Sequence, residues 1–199
     1  MRTIQAIDVS EFQHPNGEPI DWARVAASGV RGAVIKATEG GPKPYINPWL
    51  ERDARGAHGA GLHTAFYHFA HPTESTADLQ AEVLAEAVRG LPRDIGIALD
   101  LEQQPFGNEV AGWAALSAWA KAWMAWWEGK AKTIVLYCDP YFLSCLEGAP
   151  WGHHLWLAAP GARAPRRQRD LWGWQYLFGG VCPGIAGPVD RDEIYLEEC

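Results

Sequence analysis

The stretch Ile97-Ala98-Leu99-Asp100-Leu101-Glu102 ends an apolar run in two carboxylates set two residues apart. On a strand, side chains at i and i+2 share a face. Asp100 and Glu102 then point one way, and Leu99 and Leu101 point the other, toward covering helices. Two carboxyls close together on one buried face cannot both ionise freely. One keeps its proton to higher pH, which is what a general acid needs. A lone D-x-E is a weak signal, because an ion pair or a cap on the next element would explain it. It gains weight from acids in equivalent places. Asp8 closes the apolar run 3–8 (TIQAID), and Asp190 and Asp192 lie in the last strand-type region, 189–195 (VDRDEIY).

The elements that must position these acids are legible as short β-type runs. They fall at 3–8, 33–37, 62–69, 95–101, 133–138, 154–158, 171–176 and 189–195. Eight is the number that closes a barrel of the parallel β/α kind. Helix-type stretches lie between the first of them. Residues 21–28 stop at Gly29, 47–60 open with Asn47-Pro48, 75–89 open with Ser75 and close at Gly90, and 109–128 form the longest. The last three runs are joined by Gly/Pro-rich connections with no helical pattern. The expected fold is therefore α/β, a single domain over 1–199, with five βα units followed by three strands. Barrels of this class carry their active sites at the C-terminal ends of the strands. Acids at the ends of the first, fourth and last strands would converge on one mouth, which ordinary surface chemistry does not require.

Other residues are weighed against plainer roles. Trp119, Trp123, Trp126 and Trp127 recur at i, i+4, i+7 and i+8, one helix face, as packing against the barrel demands. Tyr67, Tyr137, Trp156, Trp174 and Tyr176 sit at strand ends, with Gln175 between the last two. They are candidates to bind substrate and equally candidates for the core; Tyr67 and Tyr137 add hydroxyls that can hydrogen-bond. His68 and His71, and the pair His153-His154, lack metal-site spacing and read as structural histidines. Lys36 is placed to pair with an acid, and Glu39-Gly40 to shape a loop near the mouth. Cys138, Cys145, Cys182 and Cys199 form no CxxC pair and read as free thiols.

Composition sets outer bounds. The 199 residues are 48% hydrophobic and 21% charged, enough for a full core. The net charge is −7, from 17 Lys and Arg against 24 Asp and Glu, and the short run RRQR at 166–169 is a solvated loop. Nucleic-acid binding is disfavoured. No apolar run is long enough for a membrane span, and the start MRTIQAIDVSEFQ has no apolar segment long enough for a signal peptide. Nothing calls for a cofactor, and a monomer is the default.

The ordered set IDVSEFQ (7–13), VIKATEG (34–40), FYHFAHP (66–72), ALDLE (98–102), VLYCDPYF (135–142), LWLA (155–158), GWQY (173–176) and GPVDRDEIY (187–195) resembles glycoside hydrolase family 25, the Chalaropsis-type lysozymes. The match spans essentially the whole chain, in order. It implies an irregular TIM-like (β/α)5(β)3 barrel and hydrolysis of the β-1,4 bond between N-acetylmuramic acid and N-acetylglucosamine in bacterial peptidoglycan. It implies Glu102 as general acid/base and Asp100 as its partner. The configuration would be retained, with the substrate's 2-acetamido group as nucleophile and Asp100 orienting it, or with Asp100 attacking directly. Asp8 and Asp190 match two further groove acids. The resemblance also breaks at one point: where the family commonly has Asn, this chain has Asp192. That residue is either a surface variation or, if it faces the groove, an extra acid that raises its neighbours and moves the pH optimum upward.

Two roles are consistent with these residues. One is a muramidase, expected to be a phage endolysin held in the host cytoplasm until a separate holin releases it to the wall. The other is a catalytically weak module that only binds peptidoglycan. Retention of Glu102, Asp100, Asp8 and Asp190 favours the first.

Overall fold

In the computed structural model, which describes residues 2–102, 112–165 and 170–196, strands β5 (Gly96–Asp100) and β6 (Ile134–Cys138) are buried along their whole length. Strands with two apolar faces need cover on both. The chain supplies it by closing a barrel and wrapping helices around it. β1 (Arg2–Val9) leads through α1 (Trp22–Ala27) to β2 (Gly32–Glu39). A two-residue strand β3 (Tyr45–Ile46) and α2 (Leu50–Gly59) lead to β4 (His63–Phe69). Then α3 (Ala77–Ala87) precedes β5, α4 (Trp113–Trp126) precedes β6, and α5 (Pro140–Cys145) precedes β7 (His154–Ala158). β8 (Leu171–Gly180) and β9 (Val189–Leu196) follow with no helix among the described residues.

The strand order is β1-β9-β8-β7-β6-β5-β4-β2, and β1 pairs with β2 to close the ring. Neighbours from β1 through β2 and β4 to β8 run parallel, each βα unit supplying its crossover. β9 is antiparallel to both β8 and β1, because a short connection can only return the chain as a hairpin. β3 hangs on β2 outside the ring. Every expected strand is present, and the five-plus-three arrangement is the one observed.

Two apolar layers result. Inside the barrel lie Ile4, Ala6, Val34, Ala65, Ala98, Val135, Trp172 and Ile194. Between barrel and helices lie Ile7, Ile35, Leu99, Leu101, Leu136 and their helical partners. Trp123 and Trp127 from the α4 segment are fully buried in this outer layer, and Trp119 and Trp126 flank it half-buried. Gly56 lets α2 approach the indole of Trp22: a Cβ there would lie 2.4 Å from Trp22 Cδ1.

Helix starts differ in detail from expectation. Asn47 Oδ1 accepts the Trp49 N–H (3.0 Å) and heads a turn, so α2 begins at Leu50. Thr76, not Ser75, caps α3, its hydroxyl accepting the Leu79 N–H. Ser75 Oγ instead accepts from Gln80 Nε2 at 2.9 Å. α5, six residues long, is too short to show a helical period in the sequence. Cys138, Cys145 and Cys182 are free thiols. Cys199, the run 166–169 and the first residues of the expected 109–128 helix lie outside the described residues.

Candidate active site

Each acid singled out in the sequence reaches the mouth by strand alternation. Asp100 is the last residue of β5, 6% exposed, on the face opposite Leu99 and Leu101. Glu102 follows at the strand's end and is half-buried. The two carboxyls hydrogen-bond to each other. Asp8 on β1 stands directly opposite Asp190 on β9 in the antiparallel register. A hydrogen-bonded box fixes the turn that leaves β1: Ser10 N donates to Gln13 Oε1 at 2.7 Å, and Phe12 N donates to Ser10 Oγ at 3.3 Å. Gln13 Nε2 then donates to Pro188 O at 2.9 Å, tying this turn to the segment that enters β9.

Gln175 links the walls. Its Nε2 donates to Asp8 Oδ2 at 2.8 Å and, more distantly, to Asp190 Oδ2 at 3.5 Å. Its Oε1 accepts the Tyr137 hydroxyl at 2.7 Å. Gly179 N donates to Asp190 Oδ1 at 2.7 Å. Asp192 also faces inward. It is fully buried, and Trp156 Nε1 donates to its Oδ1 at 2.8 Å. The inward-facing alternative for Asp192 is therefore the one observed, and it lies beneath Asp8, Asp100, Glu102 and Asp190.

Burial and mutual repulsion govern their protons. Burial, then the Asp190 charge, lifts Asp8 to about 7, against hydrogen bonds from Gln175 and Asp192 that favour its ionised form. Burial, then the Glu102 charge, raises Asp100 well above the usual carboxyl range. Burial also raises Glu102, moderated by the Asp100 hydrogen bond. Asp190 and Asp192 are raised as well, burial leading in both. Each member of the D-x-E pair thus holds a proton to higher pH than an ordinary carboxyl. Tyr67 and Tyr137 are pushed up by burial and by the surrounding carboxylates, so both stay neutral donors.

Not every expected substrate contact joins this cluster. Tyr67 and Tyr137 do, at 9% and 7% exposure. Trp156 is only 2% exposed, so it has no open ring face on which a sugar could stack. It packs against Tyr137, ring centroids 4.4 Å apart, as the floor of the site. Tyr176 turns away: its hydroxyl donates to Gln5 Oε1 at 2.9 Å, on the outward face of β1, and its ring packs on Trp174. Gln175 takes the inward position that the aromatics at 174 and 176 do not.

Around the rim, Lys36 pairs with Glu39 (2.6 Å) rather than with a groove acid, while its charge favours the ionised forms of Asp100 and Glu102. His71 lies between Glu39 (3.1 Å) and Glu74 (3.0 Å), packed under Gly40. His68 is structural. Its Nε2 donates to Gln80 Oε1 and its Nδ1 accepts the Thr38 hydroxyl, both at 2.8 Å, and burial lowers it to about 4. Among the described residues no group of His, Cys, Asp and Glu is arranged to hold a metal ion. No helix among them is long and apolar enough to cross a membrane.

The family described as Glycosyl hydrolases family 25 matches residues 7–185. Lysozyme M1 of Streptomyces globisporus is 30% identical over 96% of this chain and 67% of its own length. The N,O-diacetylmuramidase of Chalaropsis sp is 30% identical over 95% of this chain and 97% of its own. The crystal structure of a bacterial lysozyme from Streptomyces coelicolor superposes with a TM-score of 0.84 at 29% identity, covering 97% of this chain and 92% of that one.

Proposed function

The chain belongs to glycosyl hydrolases family 25, and we propose that it is a retaining muramidase, cleaving the β-1,4 bond after N-acetylmuramic acid in peptidoglycan. The observation that carries this reading is the convergence of Asp8, Asp100, Glu102 and Asp190 on the C-terminal mouth of the barrel, where burial and mutual repulsion raise all four carboxyls.

Exposure divides the roles of the pair. Glu102, half-buried at the strand's end, is the member a polymer can reach, so it protonates the departing glycosidic oxygen and later activates water. Asp100 lies below it. Its Oδ1 is a buried acceptor that no N–H or O–H donor among the described residues reaches. The N–H of a 2-acetamido group is a donor of the right kind. That contact would hold the acetamido oxygen against the anomeric carbon as the internal nucleophile. Asp8 and Asp190, oriented through Gln175 and Gly179 N, accept hydrogen bonds around the reacting sugar. The tyrosine hydroxyls supply donors.

Digestion of purified peptidoglycan, followed by borohydride reduction and mass spectrometry, tests this. Reduced muramic acid at the new ends is the expected result. Reduced glucosamine would make the enzyme a glucosaminidase, and no new ends at any pH would leave a binding module. The lytic role expected from the sequence extends the proposal. Produced inside a bacterium, the enzyme lyses cells once the inner membrane is permeabilised, and lysis without that step would contradict dependence on a holin.

A further inference from the structure

Asp192 is the least expected group in the barrel: a carboxyl with no exposed surface, at the level of the floor rather than the mouth. Its backbone stands between Ala6 of β1 and Gln175 of β8 in the two antiparallel registers. Trp156 Nε1 saturates Oδ1. Oδ2 is buried with no N–H or O–H donor among the described residues, and the Asp8 carboxyl is in hydrogen-bonding contact with Asp192. A buried carboxylate with one oxygen unpaired against a second carboxylate is costly. A single proton between the two removes both penalties. The groups facing Asp192 agree: Asp8 from β1, Asp190 from its own strand, and Tyr137 from β6, which is neutral or a source of negative charge.

We propose that Asp192 is a positioning residue that works as a neutral carboxylic acid, accepting from Trp156 and donating its proton to Asp8, so that the ionised form of Asp8 is favoured and aimed at the mouth. This rests on reading that mouth as the hydrolytic site. It also explains how the barrel carries a carboxyl beneath the mouth acids without adding another charge to them. Asp8 then holds one donor on the floor side, Asp192, and one on the wall side, Gln175 Nε2. Its proton is lost more readily for having both.

Asp192→Asn and Asp192→Leu separate this from a merely structural role. The Asn amide reproduces both hydrogen bonds of a neutral acid, whereas Leu fills the space and donates nothing. On peptidoglycan, D192L is expected to lose about 10-fold or more in kcat/KM. Its acidic limb, set by Asp8, should move up by about one pH unit, because a donor to the charged form is gone. D192N is expected to recover activity relative to D192L and to keep the wild-type limb. A D192N limb displaced toward acid would mean that Asp192 is charged in the working enzyme, and would overturn the proposal. So would a D192L limb that does not move. Infrared difference spectroscopy between wild type and D192N at neutral pH, without substrate, needs neither hydrolysis nor the Leu variant. Loss of a protonated-carboxyl C=O band is expected, and its absence would overturn the neutral acid even in an enzyme active on another polymer.

Discussion

Asp8 carries the clearest consequence at the scale of single residues. Its proton is held to about pH 7 in the folded protein, against an ordinary value of 3.8. The folded state therefore binds more protons than the unfolded chain between those two values. Stability from this group is full below the ordinary value and is lost as pH rises through about 7. Asp8→Asn removes that loss. Relative to wild type, D8N should gain on the order of 4 kcal/mol between pH 4 and pH 8, measured by urea denaturation at each pH. A difference that stays flat, or that falls with pH, would contradict the placement of Asp8 in a crowded acid cluster. The i, i+2 rule was enough to put Asp100 and Glu102 on one face, and the same rule aligns Asp190 with Asp192. What it could not tell was depth. Whether Asp192 looks into the barrel or over its rim depends on how far β9 runs beside β1, which is a tertiary fact.

At the scale of elements, β2, β4, β5 and β6 were legible because each is an apolar run, and because βα alternation forces parallel pairing. The segment GWQY shows where that ends. Its aromatics Trp174 and Tyr176 alternate with Gly173 and Gln175, which points the rings to one face and Gln175 to the other without saying which is inward, and register shifts lie on both sides, between Leu155 and Trp156 against β7 and between Gln175 and Leu177 against β9. Which parity faces inward is decided by those irregularities, so Gln175 rather than Tyr176 reaches Asp8. The cap positions were one residue uncertain for a similar reason: Ser75 and Thr76 are both able to cap, and the network around Gln80 claims Ser75. The helix face that was legible, the tryptophan row, sets the firmest stability expectation. Trp123 is fully enclosed between α4 and the barrel, stacked near His68 with centroids 6.1 Å apart. Trp123→Ala should cost about 3–5 kcal/mol in denaturant unfolding. A loss under about 1 kcal/mol would mean that α4 is not a principal wall of the outer core.

The whole molecule carries −7 net charge, and its proposed substrate is itself anionic through its peptide carboxylates. Approach is opposed at long range, and salt screens that opposition. Initial rates on peptidoglycan should rise as ionic strength goes from about 10 mM toward about 150 mM, where the screening length shrinks from roughly 30 to 8 Å. A rate that climbs steadily as salt is withdrawn would show that a local positive surface, not net charge, governs encounter. The barrel also explains why acids far apart in sequence work together: Asp8 and Asp190 begin and end the chain's path, yet stand opposite each other where β9 closes against β1.

In the proposed reaction Glu102 supplies and recovers the proton of glycosidic cleavage. Glu102→Gln keeps the shape of the side chain and its place beside Asp100 while removing the titratable group. With purified peptidoglycan, binding by co-sedimentation and turnover by release of reducing ends should be read on the same preparation. We expect turnover to fall by about 10²–10⁴-fold, with binding retained. Turnover within about tenfold of wild type would contradict the assignment and move the search for the acid to the other carboxyls of the mouth.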